Sequence, residues 1–272
     1  MTSDPVTAAT AVEPPPLPAA VEPTPAPKKP SGPFPGFLVD SLLAGLILMV
    51  ASTLLVTAVM VPSLLSTEAG SADFEGIMET LMPQITVAAI AAMLIAAVGV
   101  WAARGRSLAA MPRPGSTAIA YVFAVLAGLA VQGFAWLVSW LLAQADTGIR
   151  PSNAEPLIAL ARSTPWLAWL MVVVVGPFAE ELLFRHVLLR RFALAGRGVA
   201  GLVLISVLFA LMHEPVPGEQ PLLAWLGALV LYTGMGVGFG AVYLRTGRLG
   251  AAFVAHATCN LAAMALLAYS IG

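Results

Sequence analysis

Charge is scarce in this sequence: Asp, Glu, Lys and Arg together make up 10% of 272 residues, against 59% hydrophobic residues. A water-facing surface cannot be assembled from so few polar groups, so the bilayer has to serve as solvent. Basic excess is also missing, since the formal net charge is -1, and this excludes nucleic acid as a partner because nothing is available to neutralise phosphates. A single cysteine, Cys259, excludes an intramolecular disulfide; it reads as a small apolar helix residue. No persuasive internal repeat is present, which counts against the repeat-built transporter folds.

What is present is apolar length. Runs of roughly 20 apolar residues suffice to cross about 30 Å of hydrocarbon, and about seven such spans are expected, at about 37–61, 84–103, 117–143, 165–189, 199–213, 222–244 and 249–270. The fold class that follows is all-α: a polytopic transmembrane helical bundle. The fifth span is short, and Gly176-Pro177 is expected to break the fourth, so both are expected to be interrupted or shielded by neighbours. Residues 1–35 are a different material, with Pro14, Pro15, Pro16 and Pro18 in one cluster and Pro23, Pro25, Pro27 and Pro30 in another. They are expected to form a disordered tail ahead of a transmembrane domain at 36–272. No apolar run near Met1 resembles a signal peptide.

Arginines and lysines alternate between connecting segments. Lys28 and Lys29, then Arg104, Arg106 and Arg113, then Arg190, Arg191 and Arg197, then Arg245 and Arg248 share one side. That side is expected to be cytoplasmic, which places the N-terminus in the cytoplasm of a cell-membrane protein. Glu68, Asp73, Glu75, Glu79, then Asp146 and Glu155 with Arg150 and Arg162, then Glu214 and Glu219 fall in the opposite segments, which are expected to face outward. Trp136, Trp140, Trp166, Trp169 and Trp225 map near that outer interface, and Trp101 near the inner one, as an aromatic belt requires.

Three polar clusters interrupt the apolar helices. Glu180-Glu181-Leu182-Leu183-Phe184-Arg185 puts two carboxylates and a guanidinium into the fourth span, where ionisable groups are costly. Glu181 and Arg185 are four apart and pair along one face, whereas Glu180 points about 100° away, free to face something else. Phe209 and His213 end the fifth span, and His256 and Asn260 lie one turn apart on the last. Taken singly, each has a plain structural reading: an interfacial ion pair, a hydrogen-bonded core histidine, an interhelical hydrogen bond. Depth argues for convergence. At about 1.5 Å per residue, Glu180 lies roughly 15 Å, His213 roughly 22 Å, and His256 and Asn260 roughly 12 and 18 Å from the basic ends of their spans, bracketing the bilayer middle. His186, next to Arg185, sits nearer the inner boundary and reads as peripheral.

A carboxylate with a histidine can hold and deprotonate water, while a second histidine and an asparagine can donate to the oxyanion formed at an attacked amide. No Gly-x-Ser-x-Gly elbow, Cys-His pair or His-Glu-x-x-His helix accompanies them. The three motifs, Glu180-Glu181 with Arg185, Phe209 with His213, and His256 with Asn260, resemble those of the CAAX protease and bacteriocin-processing family of intramembrane proteases, which includes the type 2 CAAX prenyl endopeptidases. The resemblance covers about residues 165–265 and implies an endopeptidase acting on a membrane-associated protein or peptide. It implies that Glu180 and His213 activate water, that His256 and Asn260 stabilise the oxyanion, and that Glu181, Arg185 and Phe209 support the site. The family is often labelled metalloprotease, so zinc is the one cofactor the resemblance raises, with Glu180, His213 and His256 as its ligands; a metal-free glutamate mechanism uses the same residues. Two other classes share these features: a proton-coupled transporter with Glu180 and the histidines as relay, and a non-catalytic immunity or partner-binding protein.

Overall fold

The computed structural model describes residues 32–66, 74–145, 147–149, 151–218 and 220–271. The tail expected over residues 1–35 lies almost wholly outside them, as do Glu68, Asp73, Asp146, Arg150 and Glu219.

The described residues form helices and no strand. In chain order they are α1 (Pro33–Ser66), α2 (Phe74–Gly105), α3 (Thr117–Gln144), α4 (Ala154–Ser163), α5 (Pro165–Leu194), α6 (Gly198–His213), α7 (Leu222–Thr246) and α8 (Leu249–Ile271). Six of them, all but α4 and α6, are long and apolar enough to cross a membrane. The remaining expected span, the fifth, is α6, an apolar helix of 16 residues, about 24 Å long at 1.5 Å per residue and so short of the hydrocarbon thickness. α4 is a surface element of a different kind: Leu160 and Ala161 are buried while Glu155 stays in its first turn and Arg162 in its last.

Large apolar side chains such as Leu42, Leu54, Ile119, Leu126 and Trp136 stand exposed along α1 and α3. In water such a surface would drive association; in lipid it is matched to its solvent. The principal core is built on α5, where Leu182, Leu183, Phe184, Val187, Leu188 and Leu189 pack against α1, α2, α6 and α7. A second cluster joins α3, α7 and α8 through Ala124, Val131, Phe239, Val242, Ala251 and Ala255.

Small residues bring backbones together where polar groups must meet. A Cβ on Gly236 of α7 would come within 2.9 Å of Ser206 Cα on α6, and one on Gly128 of α3 within 2.3 Å of the Ala255 carbonyl oxygen on α8. The α7–α8 connection depends on Gly247, which ends α7 with φ 63°. A Cβ there would lie 1.8 Å from the Pro112 carbonyl oxygen. Gly247→Ala is therefore expected to cost at least about 1–3 kcal/mol, read as a lower midpoint of thermal unfolding in detergent micelles; an unchanged midpoint would contradict the close approach.

One end of the bundle is tied by ion pairs. Asp40 on α1 is fully buried and pairs with Arg104 from α2 and Arg191 from α5. Arg190 donates to the Gly105 carbonyl and meets His186 Nε2 at 3.2 Å, while His186 Nδ1 lies 3.2 Å from the Tyr243 hydroxyl. Arg248 donates to the carbonyls of Pro114 and Gly115 at the same end. Asp40 carried no signal in the sequence beyond a lone carboxylate at the start of a span.

The expected break at Gly176-Pro177 is absent, because α5 changes pitch there and continues. Residues 170–175 and 181–189 form π-helical turns around the α-helical stretch 176–180. Gly176 N–H donates five residues back, to Met171. Widening the turn gives the proline ring a place without ending the helix.

Candidate active site

Four helices deliver the polar residues. On α5, Glu181 pairs with Arg185, Oε2 to Nε 3.2 Å, with both side chains sealed from solvent. Arg185 Nη2 donates to the Gly236 carbonyl at 3.1 Å, and its guanidinium lies over the rings of Phe184, Phe209 and Phe239, closest to Phe209 at 4.9 Å. Phe209 thus supports the arginine from α6.

Glu181 has a second partner that spacing along one helix could not show. His256 Nδ1, from α8, lies 2.9 Å from Glu181 Oε1. A carboxylate only accepts, so this contact assigns the proton to Nδ1 and leaves His256 Nε2 facing Glu180 Oε2 at 3.8 Å. His213 obeys the same logic. Its Nδ1 lies 2.9 Å from the Phe209 carbonyl oxygen, so Nδ1 donates and Nε2 faces Glu180 Oε1 at 3.9 Å. His256 is further fixed by stacking on Phe239, centroids 4.2 Å apart and planes at 17°; His213 stacks on Tyr232 at 4.4 Å and 22°.

Glu180, His213 and His256 therefore converge, one imidazole on each carboxylate oxygen. Both separations exceed a direct hydrogen bond, and Glu180 Oε2 is buried without a hydrogen-bond partner. Glu180 remains 17% exposed, whereas Glu181 is fully covered, so the adjacent carboxylates occupy different environments.

Asn260 is engaged elsewhere. Its Nδ2 donates to the Val172 carbonyl on α5 at 2.8 Å. In the register set by Gly176 and Met171, the residue due to serve Val172 is Pro177, which has no N–H. Asn260 thus satisfies the carbonyl that the proline leaves without a donor, and keeps one N–H for another acceptor. Asn260→Ala is expected to destabilise the chain by about 1–2 kcal/mol. In a Pro177→Ala background, where the backbone N–H returns, the loss is expected to shrink by about 1 kcal/mol. Thermal unfolding of the four chains measures the coupling, and strictly additive effects would disprove the link.

Zinc was the cofactor raised by the motifs. Tetrahedral zinc with bonds of about 2.0–2.1 Å sets its ligand atoms about 3.3 Å apart. Here the two imidazoles approach different oxygens of Glu180 at 3.8 and 3.9 Å. Among the described residues no three His, Cys, Asp or Glu side chains converge closely enough to hold a metal ion. The donors are of the right kind, but their arrangement does not fit the ion.

Two residues near the site were not singled out in the sequence. Tyr232 sits mid-helix among glycines and apolar residues, and Glu214 entered only as one of the acids on the segments opposite the basic side. Glu214 is fully buried: the acid that follows the short α6 folds under neighbouring chain. Adjacency to His213 was the only available signal.

Residues 162–262 match the family described as type II CAAX prenyl endopeptidase Rce1-like. The chain is also 30% identical over 145 residues to the membrane-embedded CAAX protease MroQ of Staphylococcus aureus (strain USA300), a stretch covering 51% of this chain and 54% of that protein. The chain thus spans about half the length of this curated relative. No solved structure matches it. Every motif residue from Glu180 to Asn260 falls within the segment that matches this family model, so the comparisons support the resemblance to the CAAX protease and bacteriocin-processing family over that segment.

Proposed function

We propose that this chain is an intramembrane endopeptidase that uses Glu180 and His213 to activate water against a peptide bond of a membrane-associated protein or peptide. The observation that carries the reading is the Glu180 carboxylate set between two imidazole Nε2 atoms, at 3.8 and 3.9 Å, inside an apolar bundle. Gaps of this width suit a water bridging carboxylate and imidazole. Glu180 takes a proton as that water's oxygen attacks the carbonyl carbon, and the same proton passes to the amine as the C–N bond breaks. His256, when doubly protonated, keeps Nδ1–H on Glu181 and offers Nε2–H to the oxyanion; the second N–H of Asn260 is its companion donor. Glu181 and Arg185 hold His256 and carry no proton in this scheme. The basic ends of the spans face the cytoplasm, which places the N-terminus there.

The test compares membrane proteomes from cells carrying the native chain with those carrying Glu180→Gln or His213→Ala. One uncleaved precursor is expected to accumulate in both variants. Normal processing in both would sink the assignment, and identical proteomes with an intact phenotype would favour a non-catalytic binding protein.

A further inference from the structure

Glu214 is a fully buried carboxylate that the proposed reaction does not use. An acid needed only to end a helix would be placed in water, because burying a carboxylate is costly unless its oxygens are bonded. Here both are. Glu214 Oε1 accepts the Ser152 N–H at 2.8 Å and Oε2 accepts from Gln220 Nε2 at 3.4 Å. The same serine closes a loop back to the site, its hydroxyl donating to the His213 carbonyl at 2.6 Å. The next residue, Asn153, accepts the Tyr232 hydroxyl at 3.0 Å. Tyr232 in turn lies flat on the His213 imidazole, 4.4 Å between centroids.

The Nδ1–H bond to Phe209 sets the tautomer of His213, but that bond and the tilted Phe209 ring, 4.5 Å between centroids, both come from its own helix and leave the other face of the imidazole free to tilt. Stacking on a tethered tyrosine removes that freedom. We propose that Glu214 is a positioning residue: by clamping residues 151–153 onto the end of α6, it holds Tyr232 against His213 and keeps His213 Nε2 aimed at Glu180. This rests on the reading of Glu180 and His213 as the water-activating pair. α6 stops at His213 because Pro215 follows and holds Glu214 out of helical geometry, φ -131° and ψ 70°, which turns the carboxylate towards the 151–153 segment.

The chain has three histidines, so ring-nitrogen-labelled histidine in micelles gives three imidazoles to follow by NMR. In Glu214→Ala and in Tyr232→Phe, which keeps the ring and removes only the hydroxyl, the His213 resonances are expected to shift or broaden while those of His186 and His256 stay in place. Glu214→Gln, which retains an acceptor for Ser152, is expected to restore much of the native His213 signal. Processing of the accumulated precursor is expected to slow about tenfold in Glu214→Ala through misaimed chemistry. Unchanged His213 resonances, or equal movement of all three rings, would overturn the proposal, and Tyr232→Phe decides it if Glu214→Ala does not fold. Normal processing in Glu180→Gln would instead overturn the protease reading while leaving the ring measurement interpretable.

Discussion

Glu180→Gln is expected to slow substrate cleavage by about 10²–10⁴-fold, the range associated with loss of a general acid–base group, while the protein folds normally. The substitution is nearly isosteric and removes only the capacity to take a proton. It leaves no buried cation orphaned, because the guanidinium of Arg185 is paired with Glu181 and not with Glu180. Both histidines keep their Nδ1 bonds, to Phe209 and to Glu181, so the walls of the site stay in place. Cleavage of the accumulated precursor by purified protein measures the rate, and thermal unfolding in the same micelles verifies the fold. Cleavage within a few-fold of native would remove Glu180 from the mechanism.

The second large effect concerns stability. Arg185→Ala strips the guanidinium from a fully buried carboxylate and leaves it only His256, removes the donor to the Gly236 carbonyl and empties the space among three phenylalanine rings. Breaking one side of a buried pair costs about 3–5 kcal/mol, enough to unfold a marginal protein. Removing both charges is different. Glu181→Gln with Arg185→Met is expected to recover most of the thermal stability, since no buried charge remains unpaired, and the carboxamide introduced on α5 can still accept from His256. Activity is expected to stay low, because the carboxylate that anchors His256 through Nδ1–H and steadies its ring is gone. A single Arg185→Ala chain melting like the native one would show that the ion pair carries little of the fold.

These expectations depend on contacts of unequal visibility in the sequence. The Glu181–Arg185 pair follows from four-residue spacing on one helix, as do the bond from His213 to the Phe209 carbonyl and the one-turn separation of His256 from Asn260. Local geometry suffices for each. The contact between Glu181 and His256 joins residues 75 apart, and no periodicity on α5 or α8 selects which of two adjacent glutamates the imidazole meets. Asn260 shows the same limit: its motif position suggested an oxyanion donor, but its partner at Val172 arises only because a π-helical turn and Pro177 together leave that carbonyl unserved. The burial of Glu214 was hidden for the opposite reason. In a connecting segment an acid is ordinarily solvated, and only the docking of Ser152 and Gln220 shows that this one is not.

Sequence alone determined the solvent, the helical class, the approximate spans and the three helices that carry the polar clusters, because each depends on composition or on periodicity within one segment. Tertiary structure decided how those helices are rotated about their axes. Close approaches at Gly236 and Gly128, the changes of pitch in α5 and the early end of α6 set that rotation. They are properties of facing surfaces, and in hydrocarbon, where no hydrophobic force draws helices together, packing between such surfaces is what chooses among the possible registers.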